Sequence, residues 1–417
     1  MKIRSVIAAC SIGNFLEWYD YTLFGYLASV IGIFFFPDKE DAALMNSLLV
    51  FAVGFIMRPL GSIIFGLIGD RVGRRLALVF SILFMTFPTI LLGILPTYLQ
   101  IGVWASILLT ILRFVQGIPV GGEVGGILCY LTEIPAPGKK CFYGSFAFVG
   151  AQFGFIISSI EIYAFEKWMD PAFFLDWGWR LSFLFGGLLG LLGWYLRNKL
   201  HETPDFRYAI NHHQVLKHPV ATAFKNYKMS FFQAFCFSAF ASGGFYVAFY
   251  FMSIYFTDIL NIPFTESLLV NTLMLIISLV SLPLFGKMGD RFGIKKLIII
   301  STLIVIAVSY FTYYFASQKN LPFAILFQFI LVLAMSINFA LLPALLSKLF
   351  PTPVRYSGVG ISYNLSCTLL GGSAPLISLA LIQWTGSPMA PAYHLMVLGL
   401  ITLIPFLFKN SPLKEIE

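Results

Sequence analysis

Five ionisable residues sit inside stretches that are otherwise apolar: Glu17, Asp20, Arg58, Arg113 and Glu123. A charge at the centre of a bilayer costs about 2.5–3.5 kcal/mol even on insertion scales, so such residues are candidates for function. Their spacing organises them. Glu17, Asp20 and Tyr21 stand at i, i+3 and i+4, on one helix face with Gly13 and Asn14. Arg113, Gln116, Val120 and Glu123 form a slowly drifting stripe on another helix. Counted from the ends of their apolar runs, Asp20 and Arg113 both fall near mid-depth, which predicts that they approach each other in one state. A carboxylate held by a guanidinium stays charged; moved into apolar surroundings it takes a proton. An Asp20 that alternates between those settings links proton binding to a conformational equilibrium. The plainer reading is a static ion pair that only holds two helices together.

These charges need elements to carry them through an apolar medium. Of 417 residues, 59% are hydrophobic and 11% charged, against about 25% charged in a soluble domain. Forty-five Phe and seven Trp suit lipid and its interfaces. The apolar stretches predict helices near 5–36, 43–68, 76–95, 100–130, 142–165, 179–197, 230–257, 267–285, 296–316, 321–346, 356–383 and 390–408. Each is long enough to span a hydrocarbon core near 30 Å. The expected organisation is a bundle over 1–197, a polar cytoplasmic loop over 198–229, and a second bundle with a short cytoplasmic tail over 230–417. Of the 27 Lys and Arg, Lys39, Lys167, Arg180 and Lys319 fall in outer segments, and Arg58 and Arg113 within helices. The others, from Lys2 and Arg4 to Lys409 and Lys414, fall on the side of the N-terminus. Basic loops stay inside, so both termini are expected in the cytoplasm of a multi-pass protein of the cell inner membrane.

The chain repeats itself. Gly66-Leu-Ile-Gly69-Asp70-Arg71-Val-Gly73-Arg74-Arg75 follows the second predicted helix, and Gly286-Lys-Met-Gly289-Asp290-Arg291-Phe-Gly293-Ile-Lys295-Lys296 follows the eighth, half a chain away. Both copies lie on the same side, so two six-helix halves are related by an axis along the membrane normal. The glycines permit a tight turn and close approach. Asp70 and Asp290 can face a helix N-terminus or a neighbouring Arg, latching the halves at the cytoplasmic side. Arg71, Arg74, Arg75, Arg291 and Arg355 join this candidate gate, with Glu133 as partner for Arg74 or Arg75. A plain basic loop that only sets topology is the alternative; two copies at equivalent places argue for the latch.

These motifs resemble the major facilitator superfamily. A closer resemblance, to its metabolite:proton symporter family, runs along the whole chain. It is carried by Gly13-Asn14-Phe15-Leu16-Glu17-Trp18-Tyr19-Asp20, Arg58-Pro59-Leu60-Gly61, Gln116-Gly117, Gly121-Gly122-Glu123, Asp176-Trp177-Gly178-Trp179-Arg180, Glu202-Thr203-Pro204 and Phe350-Pro351-Thr352-Pro353-Val354-Arg355-Tyr356. Pro391-Ala392-Tyr393-His394-Leu395-Met396 and Arg355-Tyr356-Ser357 look most like proline/betaine symporters, with α-ketoglutarate and citrate symporters next. The resemblance implies an all-α protein of twelve transmembrane helices in two pseudo-symmetric six-helix bundles. It implies proton-coupled import of a small zwitterion or carboxylate by alternating access, without a cofactor beyond the proton and as a monomer in the bilayer. Asp20, Arg113, Glu17 and Glu123 would then couple protons. Arg58 or Arg113 would hold a substrate carboxylate in a bidentate pair. Trp18, Tyr21, Tyr246 and Tyr250 would face a quaternary ammonium. Asn14, Gln116, Gln152, Asn338 and Asn364 are polar groups within spans, either lining the cavity or making interhelical hydrogen bonds. The chain departs from the family in ending soon after the last helix, without the heptads of osmosensing members, and in carrying Lys348 where many relatives have an acid.

Other chemistries find little support. Cys10, Cys129, Cys141, Cys236 and Cys367 show no CxxC spacing, so neither a disulfide framework nor a metal site is expected. His201, His212, His213 and His218 read as a solvated loop. The net charge of +8 sits in short loops rather than along one face, which argues against nucleic acid. A membrane enzyme would need a nucleophile–base set that is not visible. Proton-driven exporters often carry a Gly-Pro pair in the fifth helix; Gly144-Ser-Phe-Ala-Phe-Val-Gly150 has no Pro.

Overall fold

The computed structural model describes residues 3–36, 46–47, 49–50, 53–136 and 138–408. Lys2, Lys39, Lys409, Lys414, the C-terminal tail and the start of the second predicted helix lie outside the described residues. The membrane helices, in order, are α1 (Ile3–Tyr26, continued as Ala28–Phe35), α2 (Val53–Arg71), α3 (Arg74–Ile94), α4 (Val103–Glu133), α5 (Lys140–Trp168) and α6 (Phe174–Asn198). The second set is α7 (Lys228–Thr257), α8 (Phe264–Phe292), α9 (Ile294–Ser317), α10 (Leu321–Leu349), α11 (Thr352–Thr385) and α12 (Ala390–Leu407). Among the described residues, eleven helices are long and apolar enough to cross a membrane, and α1 completes the set of twelve.

Two differences from the sequence reading matter. The repeated motif is not a loop: α2 and α8 run through Asp70-Arg71 and Asp290-Arg291, and the chain turns only at Gly73 (φ 140°) and Gly293 (φ 88°). These positive φ values are open to glycine and strained for other residues. Each aspartate is therefore held rigidly on the last turn of a helix. The polar segment after α6 is not unstructured either, because Pro204–Asn211 and Pro219–Asn226 form two short helices. Pro occupies the first turn of both, where its missing N–H costs nothing.

The packing has internal two-fold symmetry. In the first six helices α1 packs on α5 and α6, α2 on α4, and α3 on α4 and α6. In the second six, α7 packs on α11 and α12, α8 on α10, and α9 on α10 and α12. The halves meet through two equivalent pairs, α2 against α11 and α8 against α5. Glycine permits the tightest crossings. A Cβ on Gly61 would collide with the Ile118 carbonyl, and one on Gly121 with the Arg58 carbonyl, so α2 and α4 touch backbone to backbone.

Candidate functional site

Charged groups descend through the first six helices in separate pairs. Arg113 Nη1 of α4 lies 2.5 Å from Asp20 Oδ2 of α1, both side chains nearly inaccessible. Gln116 and Thr89 complete the group. Arg113 Nη1 also donates to Gln116 Oε1 (2.9 Å), Gln116 Nε2 to Thr89 Oγ1 (2.8 Å), and Thr89 Oγ1 to Asp20 Oδ1 (3.2 Å). The Arg113 guanidinium rests on Phe24, 3.9 Å from the ring centre. The approach expected from spacing is thus present, and Gln116 belongs to this cluster rather than to a cavity wall.

Glu17 stands one turn away and takes a different partner, Arg58 Nη2 of α2, at 3.2 Å, with both side chains fully buried. The Arg58 guanidinium lies over the rings of Phe55 (4.4 Å), Tyr21 (4.7 Å) and Trp18 (5.3 Å), and Nη1 reaches Cys367 Sγ of α11 at 3.6 Å. Tyr21 therefore packs on Arg58. Glu123 lies in a third pair, its carboxylate held by both Arg197 terminal nitrogens and by Ser81 Oγ (2.5 Å). Arg197 also donates to the carbonyls of Ala9 (3.0 Å) and Leu78 (2.7 Å). The sequence reading counted Arg197 among the basic residues of the cytoplasmic side, at the end of the sixth predicted helix; it is fully buried inside the bundle. Gly186, Gly190, Gly193 and Arg197 share one face of α6, and that spacing was the available signal. Gly13 of α1 leaves the space that Arg197 and Glu123 fill.

A narrow cavity lies between the halves beside Arg58. Trp18, Gln152 and Tyr246 line it, together with residues the sequence reading gave no role in substrate binding: Phe155, Phe245, Phe339, Tyr363, Ser242 and Cys367. Tyr246 and Cys367 each open a π-helical stretch, Tyr246–Phe251 and Cys367–Gly371, a local widening frequent at functional sites. Gln152 Nε2 donates to Ser278 Oγ (2.7 Å), while its buried Oε1 has no hydrogen-bond partner among the described residues. The remaining amides have other uses. Asn14 Nδ2 donates to the Ala147 carbonyl (2.5 Å), Asn338 Nδ2 to Ser301 Oγ (2.9 Å), and Asn364 Nδ2 to the Gly121 carbonyl (2.7 Å). Each ties one helix to a neighbour. Tyr250 is half exposed and does not line the cavity.

The end of the molecule that carries the basic motifs is closed. Asp70 accepts the N–H groups of Tyr356 (3.1 Å) and Ser357 (2.8 Å) at the start of α11. Asp290 accepts those of Cys141 and Phe142 (both 2.9 Å) at the start of α5. Two symmetry-related carboxylates therefore cap helices of the opposite half, where free N–H groups and the helix dipole favour negative charge. Arg74 lies 3.2 Å from Asp70 and 3.4 Å from Glu133, and donates to the Thr352 carbonyl (2.6 Å). Arg355 joins Glu133 and Asp205, both at 2.9 Å. Arg75 pairs with neither Asp70 nor Glu133; its side chain donates to the Asn198 carbonyl (2.8 Å), and Glu202 caps the backbone of Arg74 and Arg75. Arg71 and Arg291 are exposed. The second latch is poorer in charge, since Ile294 stands where Arg74 does and Lys348 is exposed at the end of α10.

Two symmetric halves joined by capping contacts, a cavity between them and buried ion pairs match the build of a membrane transporter. The family model of the Major Facilitator Superfamily matches residues 10–371 and again 234–416. A citrate-proton symporter of Klebsiella pneumoniae is 34% identical over 417 residues, covering 98% of this chain and 93% of that protein. A proline/betaine transporter of Escherichia coli strain K12 is 32% identical over 417 residues, covering 97% and 82%. Among solved structures, the proton:xylose symporter bound to 6-bromo-6-deoxy-D-glucose superposes with a TM-score of 0.80 at 19% identity, covering 97% and 94%. The chain belongs to the Major Facilitator Superfamily; it is a multi-pass membrane transporter and not an enzyme.

Proposed function

We propose that this transporter is a proton symporter that imports a small zwitterion of the proline or betaine type. The observation that carries the reading is a central cavity whose described lining is aromatic and polar without a charged side chain, with the buried cations of the first bundle already matched. Among the described residues, Arg58 is matched by Glu17, Arg113 by Asp20, and Arg197 by Glu123. A net-neutral solute fits an uncharged lining; a polyanion would need unmatched cations. The aromatic rings of Trp18, Tyr246, Phe155 and Phe339 supply faces for an ammonium group. Among the described residues Gln152 Oε1 accepts no hydrogen bond and is placed to accept from a substrate N–H, and Arg58, beside the cavity, is placed to meet a substrate carboxylate.

Asp20 is the proton carrier in this reading. Paired with Arg113 it stays charged; rearrangement of α1 against α4 withdraws the guanidinium, and the carboxylate takes a proton from the outer face. The two bundles, over 1–197 and 230–417, rock about the cavity, and the Asp70 and Asp290 caps break when the cytoplasmic side opens. Both termini and the linker over 198–229 lie in the cytoplasm of the inner membrane, following the excess of Lys and Arg on that side.

An organic-acid substrate is the second reading, favoured by the 34% identity to the citrate-proton symporter. Uptake of radiolabelled proline, glycine betaine, citrate and 2-oxoglutarate into vesicles, with and without a proton gradient, decides between them. Accumulation of a zwitterion driven by the gradient is expected. Citrate uptake would replace the zwitterion reading, and gradient-independent movement would end the symport reading.

A further inference from the structure

Asp20 is buried, so a proton has to reach it. The next residue back, Tyr19, is fully buried and points toward α5 and α6. Its hydroxyl meets two acceptors, a Glu161 carboxylate oxygen of α5 and the Ser182 carbonyl of α6 at 3.0 Å. A phenol carries one hydrogen. Both contacts are satisfied together only when Glu161 carries a proton, donates it to the Tyr19 oxygen, and Tyr19 donates to Ser182. With Glu161 ionised, Tyr19 donates to the carboxylate and the Ser182 contact is lost. The three groups therefore form a two-position proton relay. Glu161 lies seven residues before the end of α5, about 10 Å from the end opposite the basic motifs at 1.5 Å per residue.

A second cavity, narrow enough to hold about one water molecule, lies between this relay and the coupling pair. Tyr19 and Asp20 both line it, with Thr86 and Thr89. Thr89 Oγ1 is already a donor to Asp20. Gly186 and Gly190 of α6 form its opposite wall and keep it open. Other charges are directed elsewhere. Arg113 faces Asp20, Arg180 of α6 binds the Gly93 and Leu95 carbonyls, Lys167 reaches Tyr163, and Glu266 at the start of α8 is exposed.

We propose that Glu161 and Tyr19 form the outer proton path to Asp20. Glu161 takes a proton from the outer face. It passes that proton to the Tyr19 oxygen as the Tyr19 hydroxyl turns from the Ser182 carbonyl toward the cavity and gives its own hydrogen to one water molecule there, which in turn gives a proton to Asp20. Glu161 is left ionised for the next cycle, and no other bond changes. The inference rests on the symport reading above.

The test compares wild type, Glu161→Gln, Glu161→Asp and Tyr19→Phe in vesicles. The probe is whichever of radiolabelled proline, glycine betaine or citrate the wild type accumulates. Two quantities are read: gradient-driven uptake across external pH, and counterflow exchange, which needs no net proton movement. Glu161→Gln and Tyr19→Phe are expected to lose about tenfold in driven uptake and to lose its dependence on external pH, with counterflow unchanged and Glu161→Asp close to wild type. Driven uptake equal to wild type in both variants overturns the relay. So does an equal fall in driven uptake and counterflow, which marks a merely structural tie. If wild-type uptake ignores the proton gradient, the symport reading and the relay fall together; if only the variants match wild type, the symport reading stands and the relay alone fails.

Discussion

The Asp70 carboxylate of α2 accepts the Ser357 N–H of α11 at 2.8 Å, and so joins the first half of the chain to the N-terminus of a helix in the second. Asp290 repeats the contact on α5. Capping and helix-dipole interactions of this kind are worth about 0.5–2 kcal/mol each. That is enough to bias a two-state equilibrium and weak enough to break in each cycle.

Removing a cap should therefore favour the inward-open state. Asp70→Ala is expected to raise labelling of the buried Cys141 by a maleimide in inside-out vesicles, by about tenfold if the cap is worth about 1.4 kcal/mol. Asp290→Ala, which lacks the supporting Arg74 network, should raise labelling of Cys129 by less. Unchanged labelling in both variants would remove the latch assignment.

Asp20→Asn keeps an oxygen for Thr89 but leaves the Arg113 charge buried without its partner. Gradient-driven accumulation should fall by at least about a hundredfold, and residual exchange should lose its dependence on external pH, since the group that links proton to conformation is gone. If proton-driven uptake survives with its normal pH profile, Asp20 is not the carrier.

Glu123 should behave differently. Glu123→Gln breaks a fully buried pair and leaves Arg197 with the Ala9 and Leu78 carbonyls. Loss of one partner of a buried pair costs about 3–5 kcal/mol. The expected outcome is a lower thermal midpoint in detergent, with the folded fraction keeping the wild-type pH profile of uptake. A flat pH profile with unchanged stability would return Glu123 to the coupling machinery.

Cys367 lines the central cavity 3.6 Å from Arg58. A small methanethiosulfonate reagent added from outside should reduce transport about tenfold or more, and a transported solute should slow the loss. Cys367→Ser should be immune to the reagent. Equal sensitivity of the serine variant would place the reactive thiol elsewhere.

The sequence by itself determined the membrane class, the twelve helices and the repeat, because apolar length, the excess of basic residues on one side and a motif copied half a chain away are local properties of the chain. It also brought Asp20 and Arg113 to the same depth, since helical rise converts position into depth. It could not choose partners. Glu17 and Asp20 are one turn apart, yet one faces α2 and the other α4, because their side chains lie on either side of a crossing that only packing fixes. Arg197 read as a basic residue ending the sixth helix on the cytoplasmic side, and only the approach of α1, α3 and α4 buries it. The capping role of Asp70 and Asp290 likewise needed the tertiary structure: the motif places each carboxylate at a helix end, and only the docking of the opposite half supplies the N–H groups it holds.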